Sequence, residues 1–200
     1  MILLTSILNR LQSIRMLKKN NLWKNEKISR GAIIEGDTSN IIIGEGTEIE
    51  SNAVLSTRYG GTIVIGKNCM IRRGAMLLSY GGNILLGDYC GVNVYTILYG
   101  HGGLTVGDYV QFAAHCVIIP ANHGFNSLDA PIWKQPLSKK GILIENDVWV
   151  GANVSILDGV HIGHGAVIGA GSVVTDNIQP LTVNIGIPTK IIKIRSGKQS

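Results

Sequence analysis

The sequence predicts an all-β fold, a triangular parallel β-helix, and three observations predict it. Aliphatic residues recur every six positions, a second row of small residues runs in phase with them, and the chain is rich in glycine and poor in aromatics. Of 200 residues, 45% are hydrophobic and 16% charged, which excludes a disordered chain. With 26 glycines and 6% aromatics, the composition suits turn-rich β structure rather than a helical bundle.

The period is plainest near the C-terminus, where Ile144, Val150, Ile156, Ile162, Ile168 and Val174 stand six apart. Upstream it recurs in triplets: Ile43, Ile49 and Leu55; Ile65, Ile71 and Leu77; Leu86, Val92 and Leu98; Val106, Phe112 and Ile118. Glycine often follows the aliphatic residue, as at Gly44, Gly66, Gly87, Gly107, Gly151, Gly163 and Gly169. Two residues before the aliphatic position stand small or β-branched residues. They are Thr47, Cys69, Cys90, Val110, Val148 and Ala166 on one step, and Ala53, Ala75, Thr96, Cys116, Val154 and Ser172 on the next. Residues two apart in a strand face the same side, so each strand sends one large and one small residue inward. Strands of a sandwich do not keep a six-residue phase along a whole chain. Three such steps close one coil, and six coils at the strand spacing give a prism about 29 Å tall.

Coils start at 43, 65, 86, 106, 144 and 162, so the intervals are 22, 21, 20, 38 and 18. The excess over the shortest interval always falls after the third strand, which gathers every insertion at one corner. Insertions on one side of a solenoid mark its binding face. The longest runs from Pro120 to Gly141, a length more often functional than incidental. The outward positions are also informative. Val54, Met76, Ile97, Val117, Ser155 and Val173 on the third strands, with Ile42, Val64, Leu85, Thr105, Leu143 and His161 on the first, are mostly apolar. A solvated face does not look like this, so a neighbouring subunit or the N-terminal segment is expected to cover it.

The opening MILLTSIL is too short to cross a bilayer and lacks signal-peptide flanks, which predicts a cytoplasmic protein. Leu4, Ile7, Leu8, Leu11, Ile14 and Leu17 repeat at helical spacing, so residues 1–30 are expected to form a partly helical arm ahead of a domain spanning 31–195. The arm packs on the β-helix or, with its Arg10, Arg15, Lys18 and Lys19, touches an anionic membrane surface. Pro180 and Pro188 bracket an extended tail. A net charge of +5 favours anionic partners, but no basic run or nucleic-acid motif accompanies it, and no nucleic-acid binding is expected. Cys69, Cys90 and Cys116 are odd in number, lack metal-ligand spacing and sit at small inward positions, which predicts buried free thiols in a reducing compartment.

The stretch VWVGANVSILDGVHIGHGAVIGAGSVVT at 148–175, with ANHGF at 121–125, resembles the hexapeptide-repeat acetyltransferases, in particular the sugar and polysaccharide O-acetyltransferases. Galactoside and maltose acetyltransferases are the better-known relatives, and the resemblance covers roughly residues 40–195. It implies a left-handed β-helix, a homotrimer with active sites between subunits, and acetyl-CoA as co-substrate with no metal. His123 matches the family's catalytic histidine. A neutral imidazole suits the removal of a hydroxyl proton during attack on a thioester. Trp149 matches the residue beside coenzyme A, and Ala152 and Ala170 match positions lining the pantetheine arm. Thr175 matches the GAGSVVT element, but Asp176 follows where the family has lysine. Lys190 and Lys193 match basic positions of the family's tail and supply the missing charge. Asn93 matches an asparagine that contacts the acceptor. Trp133, Lys134 and Gln135 lie in the long loop and are candidates to shape the acceptor site. No Ser-His-Asp motif or reactive cysteine stands out, so direct transfer is expected rather than an acyl-enzyme.

Two other functions use the same architecture. A γ-carbonic-anhydrase-like zinc enzyme needs three histidines around one metal, two of them closely spaced on the coils, whereas His115 and His123 are eight apart and His101 and His123 sit in or beside inserted turns. An ice-binding solenoid needs regular exposed threonine rows and no long loop. Within the acetyltransferase reading the acceptor is a carbohydrate hydroxyl, with an amino-sugar nitrogen as the alternative.

Overall fold

The computed structural model describes residues 27–196. The chain winds as a parallel β-solenoid with three long sheets, one per step of the coil. The first sheet stacks Ile41–Ile43, Thr62–Ile65, Asn83–Leu86, Leu104–Val106, Ile142–Ile144 and His161–Ile162. The second stacks the strands around Ile49, Ile71, Val92, Phe112, Val150 and Ile168, and the third those around Leu55, Leu77, Leu98, Ile118, Ile156 and Val174. These are the residues of the six-residue period, paired in register from coil to coil.

The solenoid has about seven turns, one more than the period from residue 43 indicates. Ile33–Glu35 pairs with Val54–Ser56, and Ile28 bridges Ile49, so a partial coil precedes the first complete triplet. The tail is also more than extended chain. Ile178 bridges Ile162, Thr182–Gly186 continues the second sheet beside Val167–Ile168, and Thr189–Ile194 folds back on it antiparallel. Among the described residues the only helical pieces are two 3-10 turns, Thr38–Asn40 and Ile132–Lys134. The expected helical arm, at residues 3–18, lies outside the described residues. No helix among the described residues is long and apolar enough to cross a membrane.

The core is one column of aliphatic side chains, with Ile49, Leu55, Ile71, Leu77, Leu98, Ile118 and Ile156 all essentially inaccessible. The small inward residues sit at the turns and satisfy their backbone. Thr47 Oγ1 donates to the Gly66 carbonyl at 2.7 Å and accepts from the Cys69 amide at 3.0 Å. Cys69, Cys90 and Cys116 send their thiols to the carbonyls of Gly87, Gly107 and Gly151 at 3.0–3.1 Å. All three are free and buried. Burial pushes the Cys116 thiol up from its ordinary value, so it stays protonated and inert.

The prism has three corners. The first joins the first and second sheets, the second joins the second and third, and the third leads back to the first sheet of the next coil. The first two are short turns with a left-handed residue, such as Asn68, Tyr89, Tyr109 and Asp147 at the first and Asn52, Tyr95, His115 and Asn153 at the second. Coils approach so closely at the first corner that a Cβ on Gly66 would lie 2.3 Å from the Gly87 carbonyl oxygen, which explains the recurring glycine. The third corner carries every insertion, as the intervals require.

Candidate active site

His123 stands at the third corner, three residues beyond the buried Pro120. Its strand, Asn122–His123, pairs antiparallel with Leu137–Ser138, so the long loop returns on itself as a hairpin. The imidazole is exposed, and among the described residues it receives no side-chain partner. The loop around it is tied down at two points. Asp158 Oδ2 accepts from Ser138 Oγ at 2.8 Å, and Asp158 Oδ1 accepts from the amides of Lys140 and Gly141 at 2.9 and 3.0 Å. Gln135 Nε2 donates to the carbonyls of Ser127 and Ala130 at 2.9 and 3.0 Å, and its Oε1 accepts from the Ser127 amide at 3.1 Å. Gln135 therefore shapes the loop from within, whereas Trp133, 84% exposed, and Lys134 project from its single 3-10 turn. Asp158 has no repeat phase of its own in the sequence. The loop it fixes is not regular structure, and nothing in the spacing marks a carboxylate that caps it.

Trp149 lies on the outer face of the second sheet, 57% exposed, between Gln111 and Val167. The same row continues through Val183 to Lys193 on the terminal hairpin. Lys193 thus stands three strand spacings from Trp149, about 14 Å along the prism. Lys190 pairs with Ile185, whose side chain fills the space beside Gly169. Ala152 and Ala170 occupy adjacent turns of the second corner, where the Gly171 amide donates to the Ala152 carbonyl at 2.8 Å. Trp149, Ala152, Ala170, Lys190 and Lys193 therefore share one side of the molecule, with an apolar ring at one end and two cations at the other. Thr175 is exposed at the start of the third corner of the last complete coil, and its hydroxyl donates to Asp176 Oδ2 at 2.7 Å. The carboxylate is that of Asp176, where the sequence resemblance leads to the expectation of a lysine.

His123 and the Trp149 row are not brought together within one chain. The third corner is the vertex opposite the second sheet, and three residues from Pro120 reach at most about 10 Å. Asn93 lies with the Trp149 side, at the second corner, and its Oδ1 accepts from the Val94 amide at 2.8 Å as a local turn bond. The three histidines of the zinc alternative are also apart. His101 sits at the third corner, stacked 4.8 Å from Tyr80, whereas His115 sits at the second, stacked 5.4 Å from Tyr95. Burial holds the His101 imidazole below its usual value, with Lys139 adding to the effect.

Residues 141–176 match the model of the bacterial transferase hexapeptide, six repeats. Over this stretch the chain is similar to the hexapeptide-repeat transferases. One relative, the lipopolysaccharide biosynthesis O-acetyl transferase WbbJ of Escherichia coli K12, is 37% identical over 97 residues, which are 45% of this chain and 50% of that one. A 2,3,4,5-tetrahydropyridine-2,6-dicarboxylate N-acetyltransferase of Clostridium perfringens is 51% identical over 59 residues, 30% of this chain and 25% of that one. The chain spans a quarter to a half of the length of these curated hexapeptide relatives. Among solved structures, a mutant of AntD, an N-acyltransferase from Bacillus cereus in complex with dTDP-4-amino-4,6-dideoxyglucose and coenzyme A, superposes with a TM-score of 0.60 at 25% identity, covering 86% of this chain and 82% of that one.

Proposed function

We propose that the protein transfers an acetyl group from acetyl-CoA to a carbohydrate hydroxyl, with His123 as general base. The observation that carries this reading is the division of the site. An exposed, unencumbered imidazole stands on one side of the prism, and an exposed indole with a row leading to two lysines stands on the other. A left-handed homotrimer, as the resemblance implies, sets the third corner of one copy against the second sheet of the next and so completes the site. The apolar outward rows at Val54, Met76, Ile97 and Val117 give such copies a surface to bury.

Coenzyme A fits the second side. Trp149 offers a ring face to the ligand, Ala152 and Ala170 leave the backbone open to the pantetheine arm, and Lys190 and Lys193 supply charge for phosphates. Thr175 lies toward the same end, with its hydroxyl engaged by Asp176. His123 takes the proton of the acceptor hydroxyl as the oxygen attacks the thioester carbonyl, then returns it to the departing thiolate. Asn93 contacts the acceptor from the neighbouring copy.

Transfer to an amino-sugar nitrogen is the second reading, favoured by AntD, whose complex holds an amino sugar. Mass spectrometry of products from acetyl-CoA and a glycan panel tests both. A mass gain of one acetyl group that mild alkali removes identifies the ester. An alkali-stable gain identifies the amide, and no gain on any glycan overturns the reading.

A further inference from the structure

The third corner carries a feature that neither His123 nor the coenzyme A side uses. Tyr59, Tyr80 and His101 lie one above another in successive inserted turns. The Tyr59 and Tyr80 rings stack at 5.4 Å and 8°, and Tyr80 and His101 at 4.8 Å and 10°. Tyr99 leans on both Tyr80 and His101 at 5.6 Å. Among the described residues the other two corners hold aromatic pairs only, Tyr89 with Tyr109 and Tyr95 with His115. Burying aromatic surface needs no exposed stack, yet Tyr59 is 65% exposed and Tyr80 is 38% exposed.

The lower end of the stack opens into a cavity of about 110 Å³ lined by Glu35, Ser56, Arg58, Tyr59, Leu78 and Tyr80. Ser56 Oγ donates to Glu35 Oε2 at 3.1 Å, which orients the carboxylate and leaves its other oxygen to accept. The Arg58 guanidinium stands 5.9 Å over the Tyr59 ring and forms no ion pair among the described residues. Ring surface, a carboxylate acceptor and a guanidinium donor in one small cavity suit a sugar, whose C–H face is apolar and whose rim is all hydroxyls. The upper end of the stack reaches the root of the His123 loop. Gly102, next to His101, packs against Pro120 and Lys139 so closely that a Cβ there would meet the Pro120 oxygen at 2.4 Å. His101 Nδ1 is buried there without a partner among the described residues.

From the turn of Tyr59 to the turn of Pro120 is three coil spacings, about 14 Å. A single sugar cannot lie in the cavity and also present a hydroxyl to His123, whereas a chain of several sugars can. Resting on the carbohydrate-acceptor reading above, we infer that the Glu35–Arg58–Tyr59–Tyr80 cavity is a subsite for a sugar unit remote from the one acetylated, so that the acceptor is an oligosaccharide or polysaccharide. The aromatic stack is the path between the two.

Binding to an array of neutral and acidic glycans, from monosaccharides to octasaccharides, tests this without acetyl-CoA. The wild-type protein is expected to retain oligosaccharides and not their monosaccharides. The double variant Tyr59→Ala, Tyr80→Ala should lose about tenfold or more of that binding, as expected when two aromatic contacts go. Arg58→Ala, at an exposed position, should weaken it as well, while His123→Ala should retain it. No oligosaccharide bound by the wild type, or binding unchanged in both cavity variants, overturns the subsite. So does a change in oligomeric mass by light scattering in the double variant, which makes the stack an interface between copies. A retained oligosaccharide that acetyl-CoA does not acetylate refutes the transfer reading and leaves the subsite standing. Acetylation of monosaccharides that ignores Tyr59 and Tyr80 does the reverse.

Discussion

The first two corners of the prism and the third differ in what fixes them. At the first two, each turn must fit over the one below, so residue type is dictated by contact. Gly66 meets Gly87, Thr47 binds Gly66 and Cys69, and Tyr95 stacks on His115. At the third, the turns still stack, with Gly61 against Gly82 and Ser79 Oγ donating to the Ser56 and Gly60 carbonyls, but insertions of unequal length add residues that the six-residue repeat does not dictate, the His123 loop among them. Regular corners hold the coil together, and the irregular one is available for chemistry.

The sharpest way to break that contrast is His123→Ala. Because the imidazole touches no core residue, the variant should fold, keep its oligomeric state and bind acetyl-CoA. Transfer should fall by about 10²–10⁴, the usual share of a positioned general base. Near-wild-type transfer by the variant at pH 7 removes His123 from the mechanism.

The next effect tests whether the irregular corner is held in place from the regular part. Asp158 lies on the coil above the loop and clamps Ser138, Lys140 and Gly141, and Ser138 pairs with the strand that carries His123. Asp158→Ala should lower kcat by up to about 10²-fold, the scale of a misplacement of about 1 Å, with little change in KM for acetyl-CoA. Asp158→Asn should restore most of the loss. Its carbonyl still accepts the two amides, and its NH2 can donate to the Ser138 hydroxyl. In a His123→Ala background Asp158→Ala should have no further effect on transfer. An equal loss in both backgrounds makes Asp158 a residue of general stability rather than a positioning residue.

This difference also sets what the sequence discloses. The phase of Ile65, Ile71 and Leu77 is visible because coil stacking repeats one steric demand, and the registers follow from it. The partial coil at Ile28 and Ile33 escapes because its first step falls before the first complete triplet. The tail's continuation at Ile178 and Asn184 escapes because the interval shortens there: Ile162 to Ile178 and Ile168 to Asn184 each span 16 residues rather than 18. Within the candidate site, His123 and Trp149 are proposed from the family resemblance. The Asp158 clamp and the stack of Tyr59, Tyr80 and His101 depend on which turns lie above which. A recurrence of tyrosine at 59, 80 and 99 is the one sequence signal that points to the latter.

On the opposite side, Trp149→Ala should weaken acetyl-CoA binding by about 1–2 kcal/mol, the loss of one aromatic contact and the area it buries. Coenzyme A should quench wild-type tryptophan fluorescence and fail to quench the variant. Unchanged affinity with an altered oligomeric mass assigns Trp149 to a subunit contact, and the second sheet then joins the structural part of the comparison.

The smallest expected effect lies at a regular corner, between two stacked turns. Glu50 Oε1 accepts from Arg72 at 2.6 Å, and Glu50 Oε2 accepts from the Arg73 amide at 2.8 Å. The hydrogen bond from Arg72 holds the Glu50 carboxyl below its ordinary value. A carboxyl with a depressed folded-state pKa binds fewer protons folded than unfolded, so it stabilises the fold above its unfolded value near ~4.3. That contribution fades as pH falls through the lower folded value. Both side chains are more than a third exposed, so screening keeps the pair to about 1 kcal/mol or less. Glu50→Gln should therefore lower Tm slightly at neutral pH, and the gap from wild type should close as the solution is acidified below pH 4. Added salt should narrow the same gap at neutral pH. A gap that stays constant to low pH shows that the Arg73 amide contact, which an amide side chain reproduces poorly, outweighs the charge. Stacking geometry rather than electrostatics then decides even the polar contacts of the regular corners.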